Sequence, residues 1–269
     1  MQQFEREYAA LVAKVLQTGE RRETRNGFTR STFGESITIH SLVNGIFPII
    51  QARKMYPKGV LGEYAAMLRQ PKSVADFKKW GCNYWDKWAD ENGKLTVDYG
   101  NAWFDFDGFN QVEELKRCLR DDPMNRRMII NSWRPNRLGV LSLPCCHYNY
   151  QFYVTANGYL HMIWTQRSVD MMIGLPSDFV LAAVMLISIA REFSLLPGSI
   201  KFDLGDCHVY EEHLDNAHVY IDRTLKSSYE PPRYNYRGRH GDDFCSFEPD
   251  LLDLGTVDAG EPINFLLKE

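Results

Sequence analysis

"CCHYNYQFYVTANGYLHMIWTQRSVD", residues 145–170, decides how this chain folds. Apolar and polar side chains alternate from His147 to Thr155 and again from Tyr159 to Ser168, the period-two pattern of half-buried strands. Ala156-Asn157-Gly158 between them is a tight-turn signal, because Asn and Gly accept the positive φ angles that a hairpin requires. The ends of the stretch are chemical as well as structural. It opens on two adjacent cysteines and a histidine, and it closes on an arginine, a serine and an aspartate.

Working outward, "RRMIINSW" (Arg126 to Trp133) reads as a further strand. Residues Phe179 to about Leu195 form a helix that is apolar nearly all round and therefore buried, with Pro197 and Gly198 ending it. At the N-terminus Phe4, Tyr8, Leu11, Val12, Val15 and Leu16 follow helical spacing. "RRETRNGFTRSTFG" breaks that pattern and reads as an exposed loop. "SITIHSLVNGIFPII" reads as strand, Asn-Gly turn, strand, and Val60 to Trp88 as helical in places. "YEPPRYNYRGRHGDD" marks a loop-rich C-terminal region. No internal repeat or composition shift divides the chain, which predicts one α+β domain over residues 1–269.

Composition sets limits. At 269 residues with 44% hydrophobic and 25% charged side chains, the chain can bury a full core. A net charge of -4 gives no case for nucleic acid as an obligatory partner, yet leaves room for a local basic pocket. "MQQFEREYAALVAKVLQTGE" carries charges where a signal peptide would be apolar, and the longest apolar run, Phe179 to Ala190, is short for a membrane span. The six cysteines, at 82, 118, 145, 146, 207 and 245, form no C-x-x-C pair. Reduced thiols in a cytoplasmic protein are expected.

Cys145-Cys146-His147 admits several readings. The three are too crowded to chelate one tetrahedral ion, so no metal is expected. Cys146 paired with His208 would suit a cysteine hydrolase, although a hydrolase needs no arginine cluster. Plain packing suits a buried cysteine. The arginines favour a fourth reading. Arg167 and Ser168 end one strand, Arg126 and Arg127 open another, and Arg25 sits in the early loop. Guanidinium forks match phosphate oxygens and would lower the pKa of a nearby thiol, pointing to a nucleophile beside an anion site.

The segments "WDKWADENG", "VDYGNAW", "DPMNRRMIINSW", "LPCCH", "QRSVDMMIGLP" and "GDCHVY" occur in an order and spacing that resemble the thymidylate synthase family from about Glu20 to Tyr210. The resemblance implies an α+β homodimer on a large twisted mixed sheet with packed helices, acting on a pyrimidine nucleoside monophosphate with 5,10-methylenetetrahydrofolate as co-substrate. It implies Cys146 as the nucleophile that adds to C6 of the base, with Cys145 a packing residue and His147 beside it. Arg25, Arg167 and Ser168 would hold the phosphate, with Arg126 and Arg127 reaching across from the partner subunit. His208 and Tyr210 would bind the sugar 3'-hydroxyl. Glu63 would organise proton transfers through water and Tyr99 would move a proton, while Trp85, Asp170 and Gly174 would face the folate.

One position departs from the family. Where thymidylate synthases read Asn after "GLPF", this chain reads "GLPSD", with Asp178. A carboxylate repels O4 of uracil but accepts from the N4 amino group of cytosine, and a site built for one polar edge can reject the other by on the order of 10⁴-fold. The expected substrate is therefore dCMP, as in the resembling deoxycytidylate hydroxymethylases. Tetrahydrofolate hydride would give 5-methyl-dCMP, whereas water would give 5-hydroxymethyl-dCMP. The C-terminus "PINFLLKE" and the segment "ARKMYPKGVLGEY" both lack family features linked to closure, which favours water. CMP, dUMP, and a nucleotide- or RNA-binding regulator without activity are the alternatives. A cytosine-modifying enzyme would work in a bacterial cytoplasm, or in a host's if the gene is a bacteriophage's.

Overall fold

The computed structural model describes residues 2–268. Helix α1 (Gln3–Thr18) buries Phe4, Tyr8, Leu11, Val12 and Val15, the stripe its spacing predicts. A hairpin follows, β1 (Glu20–Thr24) and β2 (Gly27–Ile39), and then the helices α2 (Pro57–Met67), α3 (Val74–Lys78), α4 (Asn101–Phe104) and α5 (Gln111–Asp121). Short helices hold where they are capped: Ser73 accepts from the Asp76 amide to start α3, and Asn110 from the Glu113 amide to start α5. Next come β3 (Ile129–Asn131), β4 (His147–Val154), β5 (Tyr159–Asp170), helix α6 (Gly174–Glu192), β6 (Leu196–Tyr210) and helix α7 (Leu214–Lys226). A small ladder of β7 (Asn235–Tyr236) and β8 (Leu252–Asp253) lies in the irregular C-terminal region.

The main sheet has the order β1-β2-β6-β5-β4-β3. Every pairing is antiparallel except β5 with β6. A parallel pair needs a crossover, and α6 supplies it. The predicted hairpin of residues 147–170 is β4 and β5, with Gly158 at φ 82° in its turn. Along β5, Leu160, Met162, Trp164 and Gln166 are buried while Tyr159, His161, Ile163 and Thr165 stay half-buried, so one face of the sheet meets the helices and the other does not. One apolar cluster runs from Phe4 to Ile263 through that covered face.

Several local readings need correction. "RRETRNGFTRSTFG" is no loop but the β1–β2 hairpin, turning at Gly27 with φ 113°. All of β1 is exposed, so no burial rhythm marked it. Ser36–Ile39 ends β2, but Asn44-Gly45 closes a short 3-10 turn, Ser41–Asn44, and the buried residues Phe47–Ile50 pair with no strand. The strand read over Arg126–Trp133 contracts to Ile129–Asn131. The core helix begins at Gly174 rather than Phe179 and ends before Ser194, whose φ is 54°; Pro197 and Gly198 lie inside β6 instead of stopping the helix. At nineteen residues α6 is long and apolar enough to cross a membrane, contrary to the shorter run read from sequence, but 83% of its apolar window is buried in the core.

One buried ion pair fixes the approach to the cysteines. Arg134 is 4% exposed and donates through Nε to Asp98 Oδ2 at 3.0 Å and through Nη1 to the Asp105 carbonyl at 3.0 Å. Asp98 is fully buried. Replacing Asp98 by Ala leaves the buried guanidinium only the Asp105 carbonyl and the exposed Asp107 carboxylate at 3.6 Å, and unfolding in urea is expected to show a loss of about 3 kcal/mol. A loss below about 1 kcal/mol would mean that water reaches Arg134 once its partner is gone.

Candidate active site

Parallel pairing brings the ends of β5 and β6 side by side, with Ser168 opposite Asp206 and Asp170 opposite His208. His147 opens the neighbouring strand β4, Cys146 immediately precedes it, and the first turn of α6 adds Gly174 and Asp178. Together they border a cavity of about 700 Å³, a size suited to a nucleotide with part of a second ligand. Glu63 from α2, Trp85, Tyr99, Arg25 on the hairpin turn, Arg167 and Tyr210 line the same cavity. Arg126 and Arg127 do not: both are exposed on the turn before β3.

Arg167 organises the nucleophile candidate. Its Nε donates to the Cys145 carbonyl at 2.7 Å, its Nη2 to the Pro144 carbonyl at 3.1 Å, and its backbone amide to the Cys146 carbonyl at 2.8 Å. The Cys146 amide in turn donates to the Tyr99 hydroxyl. The two thiols are thereby separated. Cys145 is 1% exposed, and burial drives its thiol far above the usual range, whereas Cys146 faces the cavity. Burial also raises the Cys146 thiol, against the lowering influence of Arg167 and of the Tyr99 hydroxyl. Arg167 thus acts in the expected direction, and burial outweighs it.

His147 and Asp178 face each other. His147 Nδ1 meets the Tyr150 hydroxyl at 2.7 Å, and its Nε2 lies 3.9 Å from Asp178 Oδ1. Burial lowers the imidazole to about 3 and raises the Asp178 carboxyl to about 8. Near neutral pH both are uncharged, so their contact is not an ion pair. Gln166 Nε2 donates to Asp178 Oδ2 at 2.8 Å, on the oxygen opposite the one that faces His147, and Asp178 borders the cavity.

At the other end, His208 Nδ1 lies 3.3 Å from the Asp206 carbonyl and 3.4 Å from Asp206 Oδ1. Arg22 Nη1 holds Asp206 Oδ2 at 2.8 Å. Hydrogen bonding to His208 keeps the Asp206 carboxyl below its ordinary range. Asp170 Oδ1 accepts from the Met172 and Ile173 amides at 2.9 and 3.0 Å, so it also shapes the turn into α6.

The aromatic wall is built around Trp85, which stacks on Phe77 with centroids 4.6 Å apart and meets Trp88 and Tyr99 edge-on. Its indole N–H donates to Glu63 Oε1 at 2.7 Å, and the Tyr84 hydroxyl donates to Oε2 at 2.6 Å. The Trp88 Nε1 atom is buried without a partner among the described residues. Such a flat, polar-edged wall suits a planar ring. The C-terminal segment adds Phe265, Leu267 and Lys268 to the rim. It is tied down where the Leu266 carbonyl meets His213 Nε2 at 3.0 Å, where Lys87 reaches the Leu267 carbonyl at 3.1 Å, and where Lys268 pairs with Glu212. Residues 265–268 of "PINFLLKE" thus lie along the rim of the cavity, and its last residue, Glu269, lies outside the described residues.

Sequence reasoning missed Arg22, Tyr84, Trp88, Gln166 and Asp206. Gln166 and Asp206 stood inside quoted motifs, whereas Tyr84 and Arg22 act through partners 21 and 184 residues away. A family model described as thymidylate synthase matches residues 6–266. That family acts on a pyrimidine nucleotide by folate-dependent one-carbon transfer to C5, with methylenetetrahydrofolate as co-substrate. The match spans nearly the whole chain and all of the cavity lining except Leu267 and Lys268: the chain belongs to the thymidylate synthase family.

Proposed function

We propose that this chain makes 5-hydroxymethyl-dCMP from dCMP and 5,10-methylenetetrahydrofolate. The observation that carries the base assignment is Asp178, buried at the cavity with a hydrogen bond from Gln166 on one oxygen and uncharged His147 3.9 Å from the other. A protonated carboxyl donates to cytosine N3 while its second oxygen accepts from N4, a paired contact. An ionised carboxylate still accepts from N4. Uracil, with N3–H and O4, fits only the protonated form. Cytosine therefore suits Asp178 in either state.

The reaction follows from the thiol. Cys146 gives its proton to solvent or a cavity base as Arg167 and the ligand phosphate rearrange the charge around it, and the thiolate adds to C6 of the base. The pair of electrons displaced to C5 attacks the one-carbon iminium of the folate. Loss of the C5 proton then expels tetrahydrofolate to leave an exocyclic methylene, water adds to that methylene, and elimination of the Cys146 thiolate restores the ring. Glu63, raised to about 7 by burial, is poised to exchange protons near neutrality. The Tyr84 hydroxyl beside Glu63 forms a polar pair suited to holding the attacking water. The docked Phe265 and Leu267 favour a drier site, and with it a second reading in which hydride gives 5-methyl-dCMP.

The sheet's open face supports a homodimer. Tyr153 and Leu196 are 58% and 52% exposed there, and Arg126 and Arg127 are exposed and lie outside the lining of their own cavity. A second copy covering that face would bring its arginines to the phosphate. Six free thiols support a reducing, cytoplasmic setting.

Mass spectrometry of products from dCMP, CMP and dUMP tests the reading. A hydroxymethyl adduct on dCMP is expected; a methyl adduct overturns the water step, and product from dUMP alone overturns the base assignment. Because Asp178 loses its proton above about pH 8, any residual use of dUMP relative to dCMP is expected to fall as pH rises through that value. Asp178→Asn is expected to move relative kcat/KM toward dUMP by on the order of 10²-fold or more, and unchanged selectivity would remove Asp178 from base recognition. Cys146→Ala is expected to abolish tritium release from C5 of labelled dCMP while Cys145→Ala retains it; the reverse pattern would exchange their roles. Light scattering is expected to give twice the 31.2 kDa of one chain, and a monomer would leave Arg126 and Arg127 without a phosphate to hold.

A further inference from the structure

Glu63 is a carboxyl only 9% exposed, and no lysine, arginine or histidine among the described residues pairs with it. Its two oxygens are instead taken by neutral donors, the Tyr84 hydroxyl at 2.6 Å and the Trp85 indole N–H at 2.7 Å. The backbone makes this possible. A Cβ on Gly62 would come within 2.1 Å of the Trp80 carbonyl, so only glycine lets α2 press against the Trp80–Cys82 segment. One turn earlier, Gly59 leaves a surface on which the Tyr84 ring sits, its Cε1 at 3.5 Å from where a Cβ would be. Tyr84 is thus seated against α2 with its hydroxyl aimed at the next turn.

We propose that Tyr84 is a positioning residue whose phenol, opposite the Trp85 indole, clamps Glu63 and keeps it a proton acceptor at the cavity wall. The inference rests on the proton-transfer role proposed above for Glu63. Both donors favour the ionised carboxyl, in opposition to burial, which favours the neutral one. The other titratable groups around it do not supply a positive charge. Cys82 is buried and its thiol is pushed far up by burial and by Glu63 itself, while Asp178 borders the same cavity and carries at most a negative charge. With a phenylalanine in place of Tyr84, Oε2 loses its donor, burial is less opposed, and Glu63 takes up a proton more readily.

The test is a carbon-13 NMR titration of glutamate side-chain carboxyls in the intact protein, with Glu63→Gln identifying the resonance. In Tyr84→Phe the Glu63 midpoint is expected to rise by about one pH unit, a tenfold gain in proton affinity. The pH profile of kcat is expected to move the same way, with the KM for nucleotide unchanged. Fluorotyrosine at position 84 keeps the shape and strengthens the donor, so the midpoint is expected to fall, and this readout stands even if the phenylalanine variant does not fold. A midpoint that stays fixed in the folded variants overturns the proposal. The titration needs no substrate, so shifted midpoints in a protein that converts no pyrimidine nucleotide would overturn the proposed function and leave the clamp standing.

Discussion

Everything at the site depends on a single parallel pairing in an otherwise antiparallel sheet. Antiparallel neighbours send their ends to opposite edges, but β5 and β6 finish together, which is why Asp170 meets His208 and Ser168 meets Asp206. The pairing also demands a long connection. The chain meets that demand with α6, so the helix that fills the core is the same one whose first turn delivers Gly174 and Asp178 to the cavity. Fold and site are here one constraint.

Burial then sets the electrical character of the cavity. It raises Glu63, Asp178 and Cys146 and lowers His147, in each case favouring the uncharged form. The guanidinium of Arg167 lies against this neutral region and is already engaged by strand carbonyls. A ligand phosphate would compete with those carbonyls for the guanidinium, linking occupancy of the anion site to the loop that carries Cys146. The ring of Trp85 plays the complementary part, joining the aromatic wall to the Glu63 carboxyl through one N–H.

What could be read from sequence follows from where information is local. Residues 147–170 declared themselves because half of each strand is buried and half is not, and the turn between them needs Asn-Gly. The β1–β2 hairpin did not, because β1 is exposed throughout and β2 carries arginine, threonine and serine on both faces. Strand β6 hid its rhythm behind Pro197, Gly198 and Gly205, which look like breakers until a parallel neighbour is present. The start of α6 was placed late because Pro176 reads as a turn, yet proline in a first helical turn forfeits no hydrogen bond. At the site, Cys146, Arg167, Asp178 and His208 stood in recognisable motifs at strand and helix ends. Tyr84 carried no such mark. Its meaning lies in Glu63, 21 residues earlier, and appears only when glycines let the two segments touch.

The six free thiols carry a practical consequence. Cys82, Cys118, Cys145 and Cys207 are buried, leaving Cys146 and Cys245 as the half-buried pair, and burial pushes Cys245 up to about 12 while Lys116 is its nearest counterweight. Among the described residues, a chain with Cys245 changed to serine would present a single thiol that is not fully buried, the one in the cavity. An alkylating reagent would then count intact pockets one for one, and a bound nucleotide would shield that sulfur. Occupancy could be followed by labelling alone, before any product is sought.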